Sequence, residues 1–244
     1  MTHRFSHGVQ FRANYTFSKS LDNHSSSFLN NAGLGGTTTY LDPFDPRLDW
    51  GPSNFNITSR FSGNFGYALP VGNGRALLGG VKGVANAILG GWQVNAIITA
   101  QTGFPFTPLV GFNQSADGDT RNPDRVSLNP NFSGSIIEGS PNQWYNPAAF
   151  LLPAAGTFGN AGRDILTAPG LMNVDGSMFK TFHFRERATL QFRAEIFNAV
   201  NHTNFGWPVI TTFTSSGAYS SSAGVITSTL TTSRQLQFAL KLGW

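Results

Sequence analysis

The sequence predicts an all-β protein, an antiparallel up-and-down segment of a transmembrane β-barrel: about six to eight strands of a larger barrel, with long extracellular loops. Three observations predict it. Several stretches alternate apolar and polar residues with a period of two, the mark of a strand with one greasy and one wet face. Charged residues make up only 11% of the 244 residues, against a usual share of about 25%, while aromatics reach 13%. The connections between the alternating stretches are long and short by turns. A disordered chain would lack the aromatics, and a soluble globule would carry more surface charge. Few charges, many aromatics (22 Phe), 28 Gly and abundant Asn, Ser and Thr suit a wall with hydrocarbon outside and water inside.

The first element is HGVQFRANYTFSK, 7–19, where Val9, Phe11, Ala13, Tyr15 and Phe17 oppose Gln10, Arg12, Asn14, Thr16 and Ser18. Its length suits a tilted membrane strand. Residues 20–54 form a long loop rich in turn formers. Its Asp42, Asp45 and Asp49 raise a calcium reading. They lack the spacing of a dedicated calcium loop, and turn chemistry is the plainer account. The next strand, 55–69, sets Ile57, Phe61, Phe65, Tyr67 and Leu69 against Thr58, Arg60, Ser62 and Asn64, and PVGNG at 70–74 breaks it. A short helical turn is expected within this connection, at 84–89.

The third strand, 92–102, sets Trp92, Val94, Ala96, Ile98 and Ala100 against Gln93, Asn95, Thr99 and Gln101, with Ile97 as the mismatch. The irregular region 103–170 follows, longer than a compact soluble domain carries without purpose. It holds DGDTRNPDR, 117–125. Asp117, Asp119 and Asp124 offer a hard-cation site, but no bidentate Glu follows, and the interleaved Arg121 and Arg125 argue for a solvated turn. Segment 172–182 is the weakest strand of the set, and HFRER, 183–187, reads as a tight turn. In 188–198, Leu190, Phe192, Ala194 and Ile196 oppose Gln191, Arg193 and Glu195. A Ser/Thr-rich excursion, 199–233, has room for an extra hairpin, 209–214 with 225–230. The last strand, 234–244, sets Leu236, Phe238, Leu240, Leu242 and Trp244 against Gln235, Gln237, Ala239, Lys241 and Gly243.

The order of connections (20–54 long, 70–91 medium, 103–170 very long, 183–187 short, 199–233 long) is what strands crossing a membrane up and down produce, with short periplasmic turns and long outer loops. In such a curtain Phe11, Phe65, Val94, Phe192 and Phe238 face hydrocarbon instead of gathering in one interior. An open sheet would leave edges unpaired in lipid, so further strands are expected upstream. No apolar run reaches the length of a membrane helix, and the N-terminus has no apolar export-signal core. The chain 1–244 therefore reads as the C-terminal part of one outer-membrane β-barrel domain, either a fragment of a longer protein or a truncated one.

Several chemistries find no support. With no cysteine, neither disulfides nor thiolate metal sites are available. The formal charge of +4 is dispersed, so no basic stripe for nucleic acid exists. The five histidines are scattered, and no nucleophile elbow or phosphate loop is present; no catalytic, cofactor or metal residue is assigned, and an enzyme is not expected. Arg12, Arg60, Arg193 and Glu195 are the candidates for a lumen-facing charged set, either a structural ladder or the lining of a permeation path.

The motifs YTFSKSLDN (15–23), DPRLDWGPSNFNITSRFSGNFGYALPVG (45–72), LGGWQVNAIITAQTGFPFTP (89–108), GNAGRDILTAPGLMNVDGSMFKTF (159–182), LQFRAEIFNAVNHTNFG (190–206) and RQLQFALKLGW (234–244) together resemble the C-terminal end of TonB-dependent-receptor-like outer-membrane proteins, of the Oar-like type. The resemblance implies a 22-stranded barrel in the bacterial outer membrane, plugged by an N-terminal domain, importing a bulky ligand whose identity is not implied. It implies contact with TonB only through that plug, which this chain lacks. It also implies that Leu236, Phe238, Leu240, Leu242 and Trp244 form the signal read by the barrel-assembly machinery. Two other readings stand beside it: an outer-membrane structural or adhesion protein working through its long loops, and a soluble carbohydrate-binding β-sandwich.

Overall fold

The computed structural model of the chain describes residues 2–4, 8–25, 40–119, 124–184 and 188–244. Each of the six alternating stretches is a strand, because β-branched and aromatic residues on one side and small polar ones on the other fit a pleated surface with unlike faces. In chain order these are β2 (Val9–Phe17), β3 (Ser59–Ala68), β4 (Trp92–Gln101), β5 (Leu171–Phe184), β6 (Ala188–Phe197) and β7 (Gln235–Gly243). A short β1 (Thr2–Arg4) precedes them. They form one seven-stranded sheet in which every strand pairs antiparallel with its neighbours in this sequence order. The expected up-and-down order is therefore present, with one added edge strand. A sandwich would need a second sheet of comparable size against the apolar face. Among the described residues the other ladders are two-stranded and short.

The register carries each face unbroken across the sheet. Phe11 pairs with Phe65, Phe65 with Ala96, Ala96 with Gly176, Gly176 with Ile196, and Ile196 with Leu236. On the opposite face Gln10, Gly66, Asn95, Ser177, Glu195 and Gln237 form the matching row. A slip of one residue anywhere would mix the two faces.

Two expectations about the strands are corrected. The segment read as weakest, 172–182, is part of the longest strand, β5, with 14 residues. Its alternation looked poor because Gly176 and Lys180 fall on the apolar face and Phe179 on the polar one. Pairing on both sides overrides that local weakness. Gly176 also suits the spot: a Cβ there would come within 3.0 Å of the Ile196 side chain. His183 and Phe184, read as part of a tight turn, belong to β5, and the rest of that expected turn, 185–187, lies outside the described residues. The extra hairpin is the second correction. Residues 209–214 and 225–230 form no strand pair across the sheet. The two stretches do meet at Val209, whose N–H donates to the Val225 carbonyl at 2.9 Å, but 209–214 also runs along the second loop: the backbone N–H of Leu109 donates to the carbonyl of Ile210 at 2.9 Å, and that of Thr212 to the carbonyl of Leu109 at 2.8 Å. The helical turn expected at 84–89 is α1 (Gly83–Leu89).

All three long connections, 18–58, 102–170 and 198–234, leave from the same end of the sheet. Phe17 pairs with Ser59, Gln101 with Leu171, and Phe197 with Gln235, so each loop begins and ends on adjacent strands. The apolar core lies here and not under the strands. Phe106, Val110, Val126, Tyr145, Phe150 and Leu166 of the second loop pack with Phe213 and Ala223 of the third. Among the described residues every buried apolar side chain lies outside the seven strands. Phe11, Phe65 and Phe238 are exposed, and the shared interior that would have contradicted a curtain does not exist.

Candidate functional surfaces

The polar face of the sheet places Arg12, Arg60, Arg193 and Glu195 together on one side, as alternation dictates. Arg193 and Glu195 are two residues apart on β6, and the guanidinium donates to the Glu195 carboxylate at 2.6 Å. Arg12 lies four strands away, beside a hollow of about 530 Å³ that Gln10, Asn64, Asn95 and Arg193 also line. Arg60 sits nearer the loop end, paired in register with Thr16 and Gln101. The arrangement is a polar, partly charged trough.

On the apolar face, Leu236, Phe238, Leu240 and Leu242 stand in one exposed row along β7, and Trp244, 93% exposed, follows the strand end. Phe238 stacks on Phe192 with centroids 6.3 Å apart, and Phe192 meets Trp92 edge-on at 6.0 Å. Aromatics gather toward the two ends of this face, with Tyr15, Phe17 and Phe61 near the loops and Tyr67, Trp92, Phe182, Phe184 and Trp244 at the far end. Aromatic girdles of this kind flank the hydrocarbon band of a membrane barrel. Lys180 is the exception to the greasy face. It is only 5% exposed, lies 5.8 Å from the Trp92 ring centroid and 5.0 Å from that of Phe182, and its Nζ donates to the Gly90 carbonyl.

Beyond the loop end of the sheet, an ion-pair network ties the first long loop to the second. Arg125 Nη1 donates to the Leu48 carbonyl at 2.8 Å, and Nη2 pairs with the Asp49 carboxylate. Arg163 Nε donates to the Asp49 carbonyl at 2.8 Å, Nη1 to Ser25 Oγ at 3.1 Å, and Nη2 to the Asp22 carbonyl at 2.6 Å and to its carboxylate. Thr107 Oγ1 donates to Asp164 Oδ1 at 3.0 Å and accepts from the Asp164 backbone N–H at 2.8 Å. The third loop joins through neutral groups: Tyr145 Oη lies 3.2 Å from Thr212 Oγ1, and Tyr219 Oη donates to the Phe150 carbonyl at 2.8 Å.

Burial sets the titration of these groups. It pushes the Asp164 carboxyl up to about 6, against the opposing pull of the Arg163 and Arg125 charges and the Thr107 hydrogen bond. It raises Asp49 as well, the charge of Arg125 opposing. For Asp22, burial pushes upward, but the hydrogen bonds and charge of Arg163, with Ser53 and Ser25, outweigh it and hold the carboxyl below its ordinary value. Burial moves the Tyr145 phenol up to about 12.

These contacts correct part of the reading of the acidic loops. Asp42 and Asp45 do form turns: Asp42 Oδ1 accepts from the Phe44 N–H at 2.8 Å, and Asp45 caps the 3-10 turn Pro46–Asp49 and pairs with Arg47. Asp117 accepts from the Asp119 N–H at 2.8 Å. Asp49 and Arg125, however, are buried partners and not solvated turn residues, because the two loops close over them. Asp124 is buried too, accepting from the Ser115 N–H at 2.7 Å and its hydroxyl at 3.0 Å. Arg121 lies outside the described residues. Sequence reasoning missed Asp22, Arg163 and Asp164. The signal that pointed to them was scarcity: at 11% charge, an isolated Asp or Arg in a neutral loop is a candidate for a specific partner.

A family model described as an outer membrane beta barrel domain matches residues 1–237. Neither the curated proteins nor the solved structures contain a match to the chain.

Proposed function

Since the chain belongs to the family of outer membrane beta barrel domains, and so resides in the bacterial outer membrane, we propose that it forms the C-terminal wall and outer cap of a TonB-dependent-receptor-like transporter for a bulky ligand. The single observation that carries this reading is the fusion of three long loops into one packed body beyond a polar trough. A free-diffusion pore gains nothing from sealing its loops together. A receptor that captures a large solute needs a shaped, preorganised outer surface. In this reading the apolar face meets lipid, the trough bearing Arg12, Arg60, Arg193 and Glu195 faces the lumen, and the row from Leu236 to Trp244 docks with the barrel-assembly machinery. Energy would arrive through a plug domain contacting TonB.

The test is uptake in the producing bacterium. Deleting the gene and deleting TonB are expected to abolish entry of the same solute, screened among labelled oligosaccharides, peptides and iron chelates. Undiminished uptake of every solute lost on TonB deletion would refute transport.

One observation favours a second reading, adhesion. The first loop exposes Phe44, Leu48, Trp50 and Phe55 within twelve residues, Phe44 at 97%. Such side chains suit a contact surface for another cell or matrix. Loss of cell contact with normal uptake after removing residues 40–50 would support it.

A further inference from the structure

The connection between β3 and β4 lies at the end of the sheet opposite the long loops, where the chain also reaches Trp244. It does not simply turn. It doubles back over the apolar face: Trp92 Nε1 donates to the Ile88 carbonyl at 2.9 Å, and Lys180 Nζ, on that face, donates to the carbonyl of Gly90. Asn86 Oδ1 accepts from the Asn73 N–H at 2.7 Å, which pins α1 to the first part of the connection. Gly72 and Gly90 permit this closeness, since a Cβ on Gly72 would come within 2.8 Å of the Gly90 Cα.

The segment so held shows an unusual surface. Leu77, Leu78, Val84, Ile88 and Leu89 are all exposed, Val84 at 76%. Between residues 69 and 91 the charges are Arg75 and Lys82, with no acidic residue. Between α1 and β5 is a hollow of about 390 Å³, lined by Arg75, Asn86, Lys180, Phe182 and Phe184 among others. Exposed aliphatic residues on a short helix, adjoining cations and an aromatic girdle, describe an element lying in a lipid interface. The helix continues the apolar face of the sheet, so whatever solvates that face also solvates α1.

We infer that residues 69–91 form an interfacial anchor seated in the periplasmic leaflet of the outer membrane, with Val84, Ile88 and Leu89 at the acyl boundary and Arg75 and Lys82 on the phosphates of anionic phospholipid. This rests on the reading of the sheet as a membrane wall. It also accounts for Lys180: the connection covers the one cation found on the greasy face among the described residues, which would otherwise meet hydrocarbon. Each interfacial cation contributes about fivefold to attraction toward an anionic surface, and the effect fades with salt.

The absence of cysteine makes the test direct. Bimane is attached to Val84→Cys or Ile88→Cys in the full chain, reconstituted in phosphatidylethanolamine vesicles with or without phosphatidylglycerol. Quenching by lipids brominated on the acyl chain reports depth. Leu240→Cys serves as the lipid-facing reference and Ser215→Cys, in the third loop, as the wet one. The expected result is quenching at 84 and 88 within about twofold of that at 240 and well above that at 215. Phosphatidylglycerol should deepen it, and Arg75→Gln with Lys82→Gln should remove that gain. Strong quenching at 240 with none at 84 and 88 overturns the anchor and leaves the wall standing. Absence of quenching at 240 overturns both. Quenching at 84 and 88 that ignores phosphatidylglycerol overturns the assignment of anionic lipid.

Discussion

The sheet and the loop cap are built on opposite terms. In the sheet, most apolar side chains point away from the protein, and among the described residues no apolar strand residue is buried. Its strands are held by backbone ladders and by whatever wets the outer face. In the cap, irregular backbone encloses Phe106, Tyr145 and Phe150 and a set of buried ion pairs, as a soluble domain would. The difference teaches where each solvent lies. Lipid supplies the burial for the strands, so they need no core. Water surrounds the loops, so they must make one. Buried charge follows the same division: Arg125, Arg163 and Asp164 lie in the cap, while among the described residues the strands bury only Lys180, close to the end of the sheet far from the cap.

Mutations should respect this division, and the largest effect is expected from Arg163→Ala. It strands Asp22, Ser25 and the Asp49 carbonyl, and breaking such a buried set costs about 3–5 kcal/mol. Protease nicking of residues 40–58 and 102–170 should rise sharply while the sheet keeps its heat-modifiable gel mobility. Simultaneous loss of both would merge the two regions into one cooperative unit. Phe106→Ala, in the cap core, is expected to cost about 3–5 kcal/mol by opening a cavity, read by the same assay.

Acidity offers a third way to part the regions. Asp164 titrates near 6 when folded, against an ordinary 3.8, so its carboxyl takes a proton more readily in the folded cap. Its contribution is complete below 3.8 and is lost as pH rises through about 6, a difference of about 3 kcal/mol. Asp22 has the opposite sign: its folded value lies below 3.8, so its share is present above 3.8 and fades on further acidification. Cap protection from hydrogen exchange should therefore peak near pH 3.8, and Asp164→Asn should flatten the fall between 3.8 and about 6. An unchanged profile in that variant would assign the effect elsewhere.

On the sheet, the two faces should answer differently to the same charge. Phe238→Arg, on the apolar face, should cost about 2–4 kcal/mol if it lies at mid-bilayer depth. Gln237→Arg, one residue away on the polar face, should change stability by about 0.5 kcal/mol or less. Urea unfolding in vesicles measures both, and equal costs would mean that the faces share one solvent.

How much of this was legible depended on the range of the contacts. The strands β2, β4, β6 and β7 are legible nearly to their ends, since alternation is written in consecutive residues, whereas β3 begins at Ser59 and leaves Phe55 to Thr58, including Ile57, in the loop. β5 was undervalued because Gly176, Phe179 and Lys180 break its pattern and only pairing on both flanks holds it straight. The Arg193–Glu195 pair was legible for the same reason as the faces, being two residues apart on one strand. Asp49 and Arg125 were taken for turn residues because the partner of each lies 76 positions away.

The order of residues, taken alone, determined the two-faced curtain, the side from which the long loops emerge, and which charges share the polar trough. All of these follow from the pleat, whose period is local and owes nothing to distant chain. Only the tertiary structure decided that the loops close into a cap with its own core, that 209–230 joins that cap instead of adding strands, and that residues 69–91 fold back over Lys180. Those outcomes rest on side chains meeting across long stretches of irregular backbone, where no repeating geometry links position in the chain to position in space.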